Sequence, residues 1–487
     1  MGDTEAEHGW RFDNSYARLP EQLFTHVTPT AVRAPRQVVF NDGLAEELGL
    51  SPSLREQPAI FAGNDLPPGA EPIAQAYAGH QFGHFTNLGD GRAVLLGEQL
   101  TPGGSRVDIQ LKGSGRTRYS RSGDGRAALG PMLREYLISE GMHALGIPTT
   151  RSLAVAATGE VVMREKPLPG AILTRVAASH LRVGTFQLAA ALGDRSLLQT
   201  LLDYAIGRHE PDVAEAADPA IAFLEAVMER QAELIARWML VGFVHGVMNT
   251  DNMAVCGETI DYGPCAFLDA YDPATVFSSI DQQGRYAYGN QPAIAQWNLA
   301  RLAESLLPLV QGEEQQAVDA VRSVLERFAD RYQHHYAAGA SAKLGLTTEQ
   351  EGDTALFKAL LDAMHQSRAD FTSTFAALAE LAETVGTTAT LPPGITPDWL
   401  AAWQARLDQE PAACPAQIAR MRRANPLVIP RNHKVEKALA AAEIGDMQPF
   451  QDLLAAVRDP FSATPANAAY RSGPPAGCGP YRTFCGT

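Results

Sequence analysis

One long amphipathic segment, residues 219–243, constrains the fold of this chain more than any other feature. Its apolar residues recur with the 3.6-residue period of an α-helix, at positions 221, 224, 227, 228, 234, 235, 238 and 239. Before residue 183 short apolar stretches predict β-strands, and from there to about residue 457 most segments predict helices. The expected fold class is therefore α+β, with a strand-rich N-terminal part and a larger helical C-terminal part.

Turn residues divide the N-terminal strands into hairpins. Pro102-Gly103-Gly104 joins the predicted strands 92–99 and 107–113, and Thr158-Gly159-Glu160 is predicted to be the turn of a hairpin over 149–165. A further strand is predicted over 171–177. Between the two hairpins, a helix is predicted from Pro131, a favourable first helical position, to Leu145 before Gly146.

Composition excludes several classes of protein. The 487 residues are 45% hydrophobic and 20% charged, which excludes a disordered chain. The formal net charge of −15 makes nucleic acid and anionic membranes unfavourable partners. The N-terminus lacks the basic-then-apolar pattern of a secretory signal, and no run of about 20 apolar residues spans a bilayer. A soluble, cytoplasmic protein is expected.

The five cysteines are too few and too scattered for a disulfide framework or a zinc ribbon. Most are expected to be buried or idle thiols. Cys478 and Cys485 differ because they lie in a Gly/Pro-rich tail, RSGPPAGCGPYRTFCGT, where thiols are expected to be accessible and therefore redox-reactive.

The loop after the long helix, VHGVMNTDNMAVCGETIDYG (244–263), contains candidate metal ligands. Asn252 and Asp261 supply the oxygen donors that Mg²⁺ prefers when it bridges nucleotide phosphates. The alternative is a turn Asn and a hairpin Asp without a ligand. Kinase-type phosphotransferases place a catalytic Asp shortly after the His of this loop, but here Val247 follows His245 and Gly246. Asp251 is either a solvated loop carboxylate or the base that Val247 cannot be.

Lys112 and Glu135 form a second candidate pair. Lys112 ends the apolar strand DIQLK, where its ammonium is costly to bury unless it is paired. Glu135 follows 23 residues later in the predicted helix, where kinases carry the carboxylate that pairs with their strand lysine. The alternative is an exposed Lys and a solvated helical Glu.

Two glycine-rich basic stretches flank the predicted strands: GDGR (89–92) and GSGRTRYSRSGDGR (113–126). Glycines let backbone amides approach phosphate oxygens, and arginines bind those oxygens bidentately. Either stretch alone is more often an ordinary loop. Arg175 and Arg182 add two more arginines just before the predicted helical part. This concentration in an acidic chain favours a polyanionic ligand; the arginines are Arg92, Arg116, Arg118, Arg121, Arg126, Arg175 and Arg182.

His80 and His84 in YAGHQFGHF have the i, i+4 spacing of a helical metal pair. Gly79 and Gly83 weaken a helix, however, and no Glu follows His80. Packed or hydrogen-bonded histidines are the preferred interpretation over zinc ligands.

Long motifs resemble a known family. YAGHQFGHFTNLGDGRA, DIQLKGSGRTRYSRSGDGRAALGPMLREYLISE, HGVMNTDNM and WNLARLAE are similar to the selenoprotein O family of protein adenylyltransferases. The resemblance runs from SYARLPEQLFTHVTPT to the terminal CGT, essentially the whole chain. It implies a protein-kinase-like fold of two lobes: residues 1–182, with the nucleotide-binding strands, and residues 183–487, with the catalytic loop and the Cys-containing tail.

The resemblance also implies an activity. AMP is transferred from ATP, bound in a flipped orientation, to a Ser, Thr or Tyr hydroxyl of a protein, the chain itself being one candidate, and pyrophosphate is released. Mg²⁺, or alternatively Mn²⁺, is the implied metal. The implied site residues are Asp251 as proton acceptor; Asn252 and Asp261 at the metal; Lys112, Arg175 and Arg182 at the phosphates, with Glu135 steadying Lys112; and Gly89, Gly91, Arg92, Asp124 and Gly125 along the nucleotide.

One departure from the family concerns redox control. Members commonly carry a cysteine or selenocysteine three residues from the C-terminus, matched here by Cys485. In some bacterial members this residue pairs with a cysteine after the Asp-x-Gly motif, but Phe277 occupies that position here. A redox switch through that bridge is therefore not expected.

Three functions remain in competition from the sequence. They are protein adenylylation, a conventional phosphotransferase, and an inactive pseudokinase that serves as a binding module. Val247 argues against the second. Retention of Lys112, Glu135, Asn252 and Asp261 argues against the third, because a pure scaffold needs no metal site.

Overall fold

The computed structural model of the protein describes residues 8–383, 391–411, 414–475 and 481–483. The strands are β1 (Phe24–His26), β2 (Arg36–Phe40), β3 (Ile73–Gln75), β4 (Ala78–Gln81), β5 (His84–Asn87), β6 (Ala93–Leu100), β7 (Arg106–Lys112), β8 (Ala127–Ala128), β9 (Arg151–Met163), β10 (Pro167–Ala177), β11 (Phe243–Val244) and β12 (Ala266–Phe267).

The α-helices are α1 (Asp42–Glu47), α2 (Pro58–Phe61), α3 (Leu129–Ala144), α4 (Val183–Ala191), α5 (Arg195–His209), α6 (Pro219–Val241), α7 (Gln291–Leu306), α8 (Glu314–Glu326), α9 (Phe328–Leu344), α10 (Asp353–Ser367), α11 (Phe371–Glu383), α12 (Pro397–Leu407), α13 (Cys414–Ala424), α14 (Asn432–Glu443) and α15 (Gln448–Arg458). Short 3₁₀ turns include Thr250–Asn252 and Tyr288–Asn290. The mixture of strands and many helices confirms the expected α+β composition.

An antiparallel sheet occupies the N-terminal part of the chain, in the order β1-β3-β6-β7-β10-β9-β2, with β8 also paired to β10. The predicted hairpin of β6 and β7 is present, with Ala93 opposite Lys112 and Leu100 opposite Arg106. In the next pair of strands, Leu173 lies opposite Lys112 and Arg175 opposite Gln110. Because alternate residues of a strand share a face, this register brings Lys112, Gln110 and Arg175 near one another.

The second predicted hairpin is present, but the prediction of its turn at Thr158-Gly159-Glu160 is wrong. β9 continues through Gly159 to Met163, and the chain reverses only at residues 164–166 before β10. Gly159 adopts a left-handed backbone with φ of +69°, and the pairing register shifts between Pro169 and Ala171 on the partner strand. The glycine therefore forms a β-bulge, which bends the strand without reversing it.

Helix α3 packs on the sheet and carries Glu135 toward it. Leu133 and Leu137 of this helix are fully buried in one core with Val155 of β9 and Leu173 of β10. The helix begins at Leu129, two residues before Pro131, and ends one residue before the predicted Leu145. Core packing of Leu133 and Leu137 fixes the orientation of the helix, and with it the direction in which Glu135, midway between them in sequence, points.

The predicted long helix is present as α6, and it leads directly into the candidate loop. Asp218 caps its start by accepting hydrogen bonds from the amides of Ala220 and Ile221, and Gly242 ends it with φ of +74°. Strand β11 then pairs with β12 around the loop, with Phe243 opposite Phe267. Within the described residues, no helix combines the length and apolarity needed to cross a membrane.

Candidate active site

A cavity of about 680 Å³ is lined by residues from the sheet, from α3 and from the loop after α6. Every site residue that the family resemblance implies within the described ranges lines it: Gly89, Gly91, Arg92, Lys112, Asp124, Gly125, Glu135, Arg175, Arg182, Asp251, Asn252 and Asp261. Of the further arginines predicted to favour a polyanionic ligand, Arg121 and Arg126 line the cavity, whereas Arg116 and Arg118 do not. Cys485 lies outside the described residues. Residues spread over more than 170 positions of sequence thus meet in one place.

Lys112 and Glu135 form a buried ion pair, with 2.6 Å between Lys112 Nζ and Glu135 Oε2. Lys112 Nζ also lies 2.8 Å from Asp261 Oδ1. Both Lys112 and Glu135 are almost fully buried, so the alternative of an exposed lysine and a solvated glutamate is wrong. The pair links the sheet, α3 and the loop after α6.

Asp261 is the acceptor on which three cations converge. Besides Lys112, Arg175 Nη1 lies 2.6 Å from Asp261 Oδ1, and Arg182 Nη1 lies 2.9 Å from Oδ2. Burial alone would raise the pKa of the Asp261 carboxyl, but Lys112, Arg175 and Arg182 together hold it well below its ordinary value. Asp261 is therefore ionised throughout the neutral range. Its backbone is left-handed, with φ of +62°, a strained conformation that is common at functional positions.

Buried polar groups hold the two arginines in place. Arg175 Nη2 donates to Gln110 Oε1 at 2.6 Å, and Gln110 Nε2 in turn donates to Asp90 at 3.1 Å. Arg182 Nη1 donates to the carbonyl oxygen of Asp251 at 2.8 Å, and its guanidinium lies 4.6 Å from the ring centroid of Tyr77. Buried arginines held in this way have the charge and fixed geometry that a polyphosphate ligand requires.

Asp251 lies on the 3₁₀ turn of the loop, buried in the cavity wall. Its Oδ1 has no hydrogen-bond partner within the described residues. Burial raises the pKa of Asp251 to about 6, against the lowering effect of Arg182. A Cβ atom on Gly79 would lie 2.2 Å from Asp251 Oδ1, so the absence of a side chain at Gly79 makes room for this carboxylate.

Asn252 turns its amide oxygen away from the backbone, because its Nδ2 donates to the Val247 carbonyl at 2.9 Å. Asp261 Oδ2 and the Asn252 amide thus offer oxygen donors to one cavity, whereas Asp251 Oδ1 is enclosed beside Gly79. Asp261 Oδ2 accepts a single hydrogen bond in the described structure, from Arg182, which leaves it capacity for a cation. This donor set fits a hard divalent cation such as Mg²⁺.

The environments of Val247 and His245 indicate that both residues have a structural role. Val247, which stands where the sequence pattern of kinases has a catalytic Asp, is buried and lines the cavity. His245 is stacked on Trp238, and its Nε2 lies 2.9 Å from the Ile260 carbonyl oxygen. Burial lowers the pKa of His245, so this imidazole is neutral and serves to join the two arms of the loop.

The two glycine-rich stretches pack against each other at the cavity. Gly89 has φ of +137°, and a Cβ there would lie 2.4 Å from the Tyr119 ring. Gly125 has φ of +72°, and a Cβ would lie 2.2 Å from the backbone of Gly115. Asp124 is tied to Arg164 at 2.8 Å. Glycine is required at both positions by close contact and by backbone conformation.

The interpretation of His80 and His84 as packed histidines holds for His80. The two histidines lie on the hairpin of β4 and β5, not on a helix, and His80 Nδ1 lies 2.7 Å from the amide nitrogen of Gln187. Within the described ranges, no cluster of three or more His, Cys, Asp and Glu side chains forms a metal site. Sequence reasoning missed Tyr77, Asp90 and Gln110. These residues lie within the quoted motifs, but their role depends on tertiary contacts with Arg175 and Arg182 that the motifs alone do not reveal.

Comparison with known proteins decides the family. A family model described as protein adenylyltransferase SelO matches residues 8–458. The chain belongs to the SelO family. A SelO-family relative from Geobacillus kaustophilus, named protein nucleotidyltransferase YdiU, is 60% identical over 483 residues, covering 98% of this chain and 99% of the relative. Proteins of the same name from Syntrophotalea carbinolica and Cereibacter sphaeroides are 56% and 57% identical, with at least 98% of each chain covered.

Membership in the SelO family confirms the family expected from the motifs. The family description and the relatives' names both denote nucleotidyl transfer to proteins. The matched spans of the family model and of these relatives cover the segments that form the cavity.

Proposed function

We propose that this chain is a protein adenylyltransferase that transfers AMP from ATP to a Ser, Thr or Tyr hydroxyl of a protein. The observation that carries the proposal is the convergence of Lys112, Arg175 and Arg182 on Asp261 in the cavity wall. Three buried or nearly buried cations around one carboxylate suit a polyphosphate far better than a neutral adenine ring.

The position of these cations supports a flipped orientation of ATP. Arg175 and Arg182 are among the most buried residues that line the cavity. They would hold the β- and γ-phosphates inward, which leaves the α-phosphate toward the acceptor. Gly89, Gly91, Arg92, Asp124 and Gly125 would line the rest of the nucleotide.

Asn252 and Asp261 would hold Mg²⁺, or alternatively Mn²⁺. When bound, the metal supplies Lewis-acid neutralisation of charge on the phosphates. Glu135 holds Lys112 in position. Asp251 would accept the proton of the attacking hydroxyl, since it lines the cavity and burial raises its pKa to about 6.

In the proposed reaction, each bond that forms is matched by a bond that breaks, and the released proton has an acceptor. The acceptor oxygen bonds to the α-phosphorus, the bond from that phosphorus to the bridging oxygen of the β-phosphate breaks, and pyrophosphate leaves. The hydroxyl proton goes to Asp251. Val247 is tolerated because no γ-phosphoryl group reaches a base at that position.

A kinase-like arrangement of two lobes, 1–182 and 183–487, is part of the proposal. It is supported by the antiparallel sheet that ends at Ala177 and by the helices that begin at Val183. The Lys112–Glu135 pair and the Asn252 and Asp261 loop follow in the order known from kinases.

ATP labelled separately at the α- and γ-phosphates tests the proposed function. The full chain is incubated with magnesium, labelled ATP and a mixture of proteins. Adenylylation places the α-label on protein. The γ-label on protein would support a conventional phosphotransferase, and absence of both labels would support an inactive binding module; either result contradicts the proposal.

A further inference from the structure

The rim of the cavity carries exposed apolar side chains that the nucleotide chemistry does not use. Ile280 lines the cavity that holds Asp251, yet 54% of its surface is exposed. Phe82, at the tip of the hairpin of β4 and β5, lines the same cavity with a left-handed backbone, φ +50°. A bulky residue in this conformation is unusual and indicates that the surrounding contacts fix it there.

The catalytic loop itself holds this rim. The amide of Phe82 donates to Asn249 Oδ1 at 3.1 Å, and the hydroxyl of Tyr286 donates to the same oxygen at 2.6 Å. The amide of His80 donates to Thr250 Oγ1 at 2.7 Å. Asn249 and Thr250 directly precede Asp251. The hairpin and the segment around Tyr286 are therefore positioned relative to the proposed base.

An aromatic and cationic surface continues outward from the rim. Phe85 is 47% exposed, and its ring contacts His80, which in turn contacts Trp297. The guanidinium of Arg285 lies 4.8 Å from the Trp297 ring centroid. We call Phe82, Phe85, Ile280, Arg285 and Trp297 the rim cluster. Aromatic and Arg side chains of this kind dominate the binding energy of protein interfaces.

Arg285 is the charged residue of the rim cluster, and it has no counterion among the described residues. It forms no ion pair within the described residues, and its Nε has no hydrogen-bond partner there. The neighbouring carboxylate of Asp281 is already occupied, because it accepts the backbone amides of Arg285 and Tyr286 at 2.9 and 2.8 Å. A positive charge held by stacking in a chain of net charge −15 is complementary to an acidic ligand.

We propose that the rim cluster binds an extended segment of the acceptor protein, in which an apolar side chain near the acceptor hydroxyl packs on Ile280 and Phe82 and a carboxylate pairs with Arg285. This inference rests on the proposed function and names its substrate class. Docking beside Asp251 holds the hydroxyl near the reacting phosphorus, which is the usual way binding energy lowers a bimolecular barrier.

A peptide library tests this inference. Peptides with one central Ser, Thr or Tyr and randomised flanks are incubated with the full chain, magnesium and α-labelled ATP. Two variants alter the rim cluster, Ile280→Asp and Arg285→Glu. Two matched controls alter exposed residues elsewhere, Ile444→Asp, at an isoleucine that is 86% exposed, and Arg423→Glu on α13.

The unaltered protein is expected to prefer Asp or Glu at a flanking position and an apolar residue nearer the hydroxyl. Arg285→Glu is expected to reverse the charge preference toward Lys and Arg, and each rim variant to raise KM for the preferred peptide about tenfold, the effect of losing roughly 1.4 kcal/mol. The KM for ATP is expected to stay unchanged in Arg285→Glu, whose altered side chain does not line the cavity, and both controls are expected to behave like the unaltered protein. A merely destabilised protein would not reverse a preference.

Other outcomes overturn the inference. Rim variants that keep the KM and flanking preference of the unaltered protein would show that the surface does not bind the acceptor. Transfer to intact proteins but to no peptide would exclude an extended segment while leaving the proposed function intact. Absence of α-label on every protein and peptide would contradict the proposed function and, with it, this inference.

Discussion

The backbone amide of Thr483 donates to the carbonyl oxygen of Phe277 at 2.8 Å. The Ser279 amide donates back to the Thr483 carbonyl at 2.9 Å, and the Tyr481 ring contacts the Phe277 ring. The C-terminal residues 481–483 thus form a short strap beside the segment that follows Asp261. Thr483 Oγ1 also donates to the carbonyl of Pro264, a residue that lines the cavity.

Replacing Tyr481 by Ala is expected to release this strap, because the ring contact and the hydroxyl hydrogen bond to Glu436 are both lost. Hydrogen–deuterium exchange of peptides covering 277–283 is expected to accelerate about tenfold, which corresponds to roughly 1.4 kcal/mol of local stability. Tyr470→Ala, in the preceding segment, is the control and should leave these peptides protected. Unchanged exchange in Tyr481→Ala would show that the backbone pairing alone holds the strap.

Asp261→Asn is expected to separate two electrostatic roles of the site, which are metal binding by the carboxylate and phosphate binding by the three cations. Magnesium-dependent AMP transfer should fall by about 100-fold or more, because a carboxylate at the proposed metal position is lost. Binding of tripolyphosphate without metal should strengthen, because Lys112, Arg175 and Arg182 are no longer neutralised by Asp261.

Calorimetric titration with tripolyphosphate, in chelator and in magnesium, measures this effect. Asp362→Asn is the control, since Asp362 is an exposed carboxylate that pairs with Lys358 and does not line the cavity. Equal loss of binding under both conditions in Asp261→Asn would show that the residue only maintains the fold.

Val247→Asp is expected to leave the reaction type unchanged. The new carboxylate would face a cavity that already contains Asp251 and Asp261, so repulsion of the phosphates should lower AMP transfer. It should not create phosphoryl transfer, because the γ-phosphate is proposed to point inward, away from the acceptor. ATP with distinguishable α- and γ-labels measures both products in one reaction, and γ-label on protein in this variant would contradict the flipped orientation.

How much of this site the sequence predicts depends on the kind of residue. Lys112, Glu135, Asn252 and Asp261 were predicted because kinase-type chemistry requires their types in that order, and all four line one cavity. Gly79 was interpreted only as a helix breaker. Its close contact with Asp251 arises from two segments more than 170 residues apart, and no local pattern encodes such a contact.

In the fold, as in the site, features set by a local sequence pattern were predicted, and features set by tertiary contacts were not. The apolar period of α6 predicted that helix nearly to the residue. At Gly159 the sequence shows only that a left-handed backbone is favourable, and both a turn and a β-bulge use one. Pairing of β9 with β2 and β10 on its two sides, together with contact of Gly159 with Ala34, decides for the bulge.

Lys343→Met is expected to stabilise the protein at neutral pH. Lys343 on α9 is buried without a carboxylate partner in the described residues; its Nζ lies 4.3 Å from the Phe375 ring centroid, and burial lowers its pKa to about 7. Because the unfolded chain holds this proton up to a pKa of about 10.4, the wild type should gain stability as pH rises from 7 to 10.

Met keeps the apolar volume of the Lys343 side chain and carries no charge, so the difference between variant and wild type should be largest below pH 7 and shrink toward pH 10. Thermal unfolding of both proteins at pH 6.5 and 9.5 measures it. Lys358→Met is the control, because Lys358 is exposed and pairs with Asp362, so its removal should change stability by less than about 1 kcal/mol at either pH. A stabilisation by Lys343→Met that is equal at both pH values would mean that Lys343 keeps an ordinary pKa in the folded protein, its ammonium compensated by the Phe375 ring and the carbonyl oxygen of Ala424.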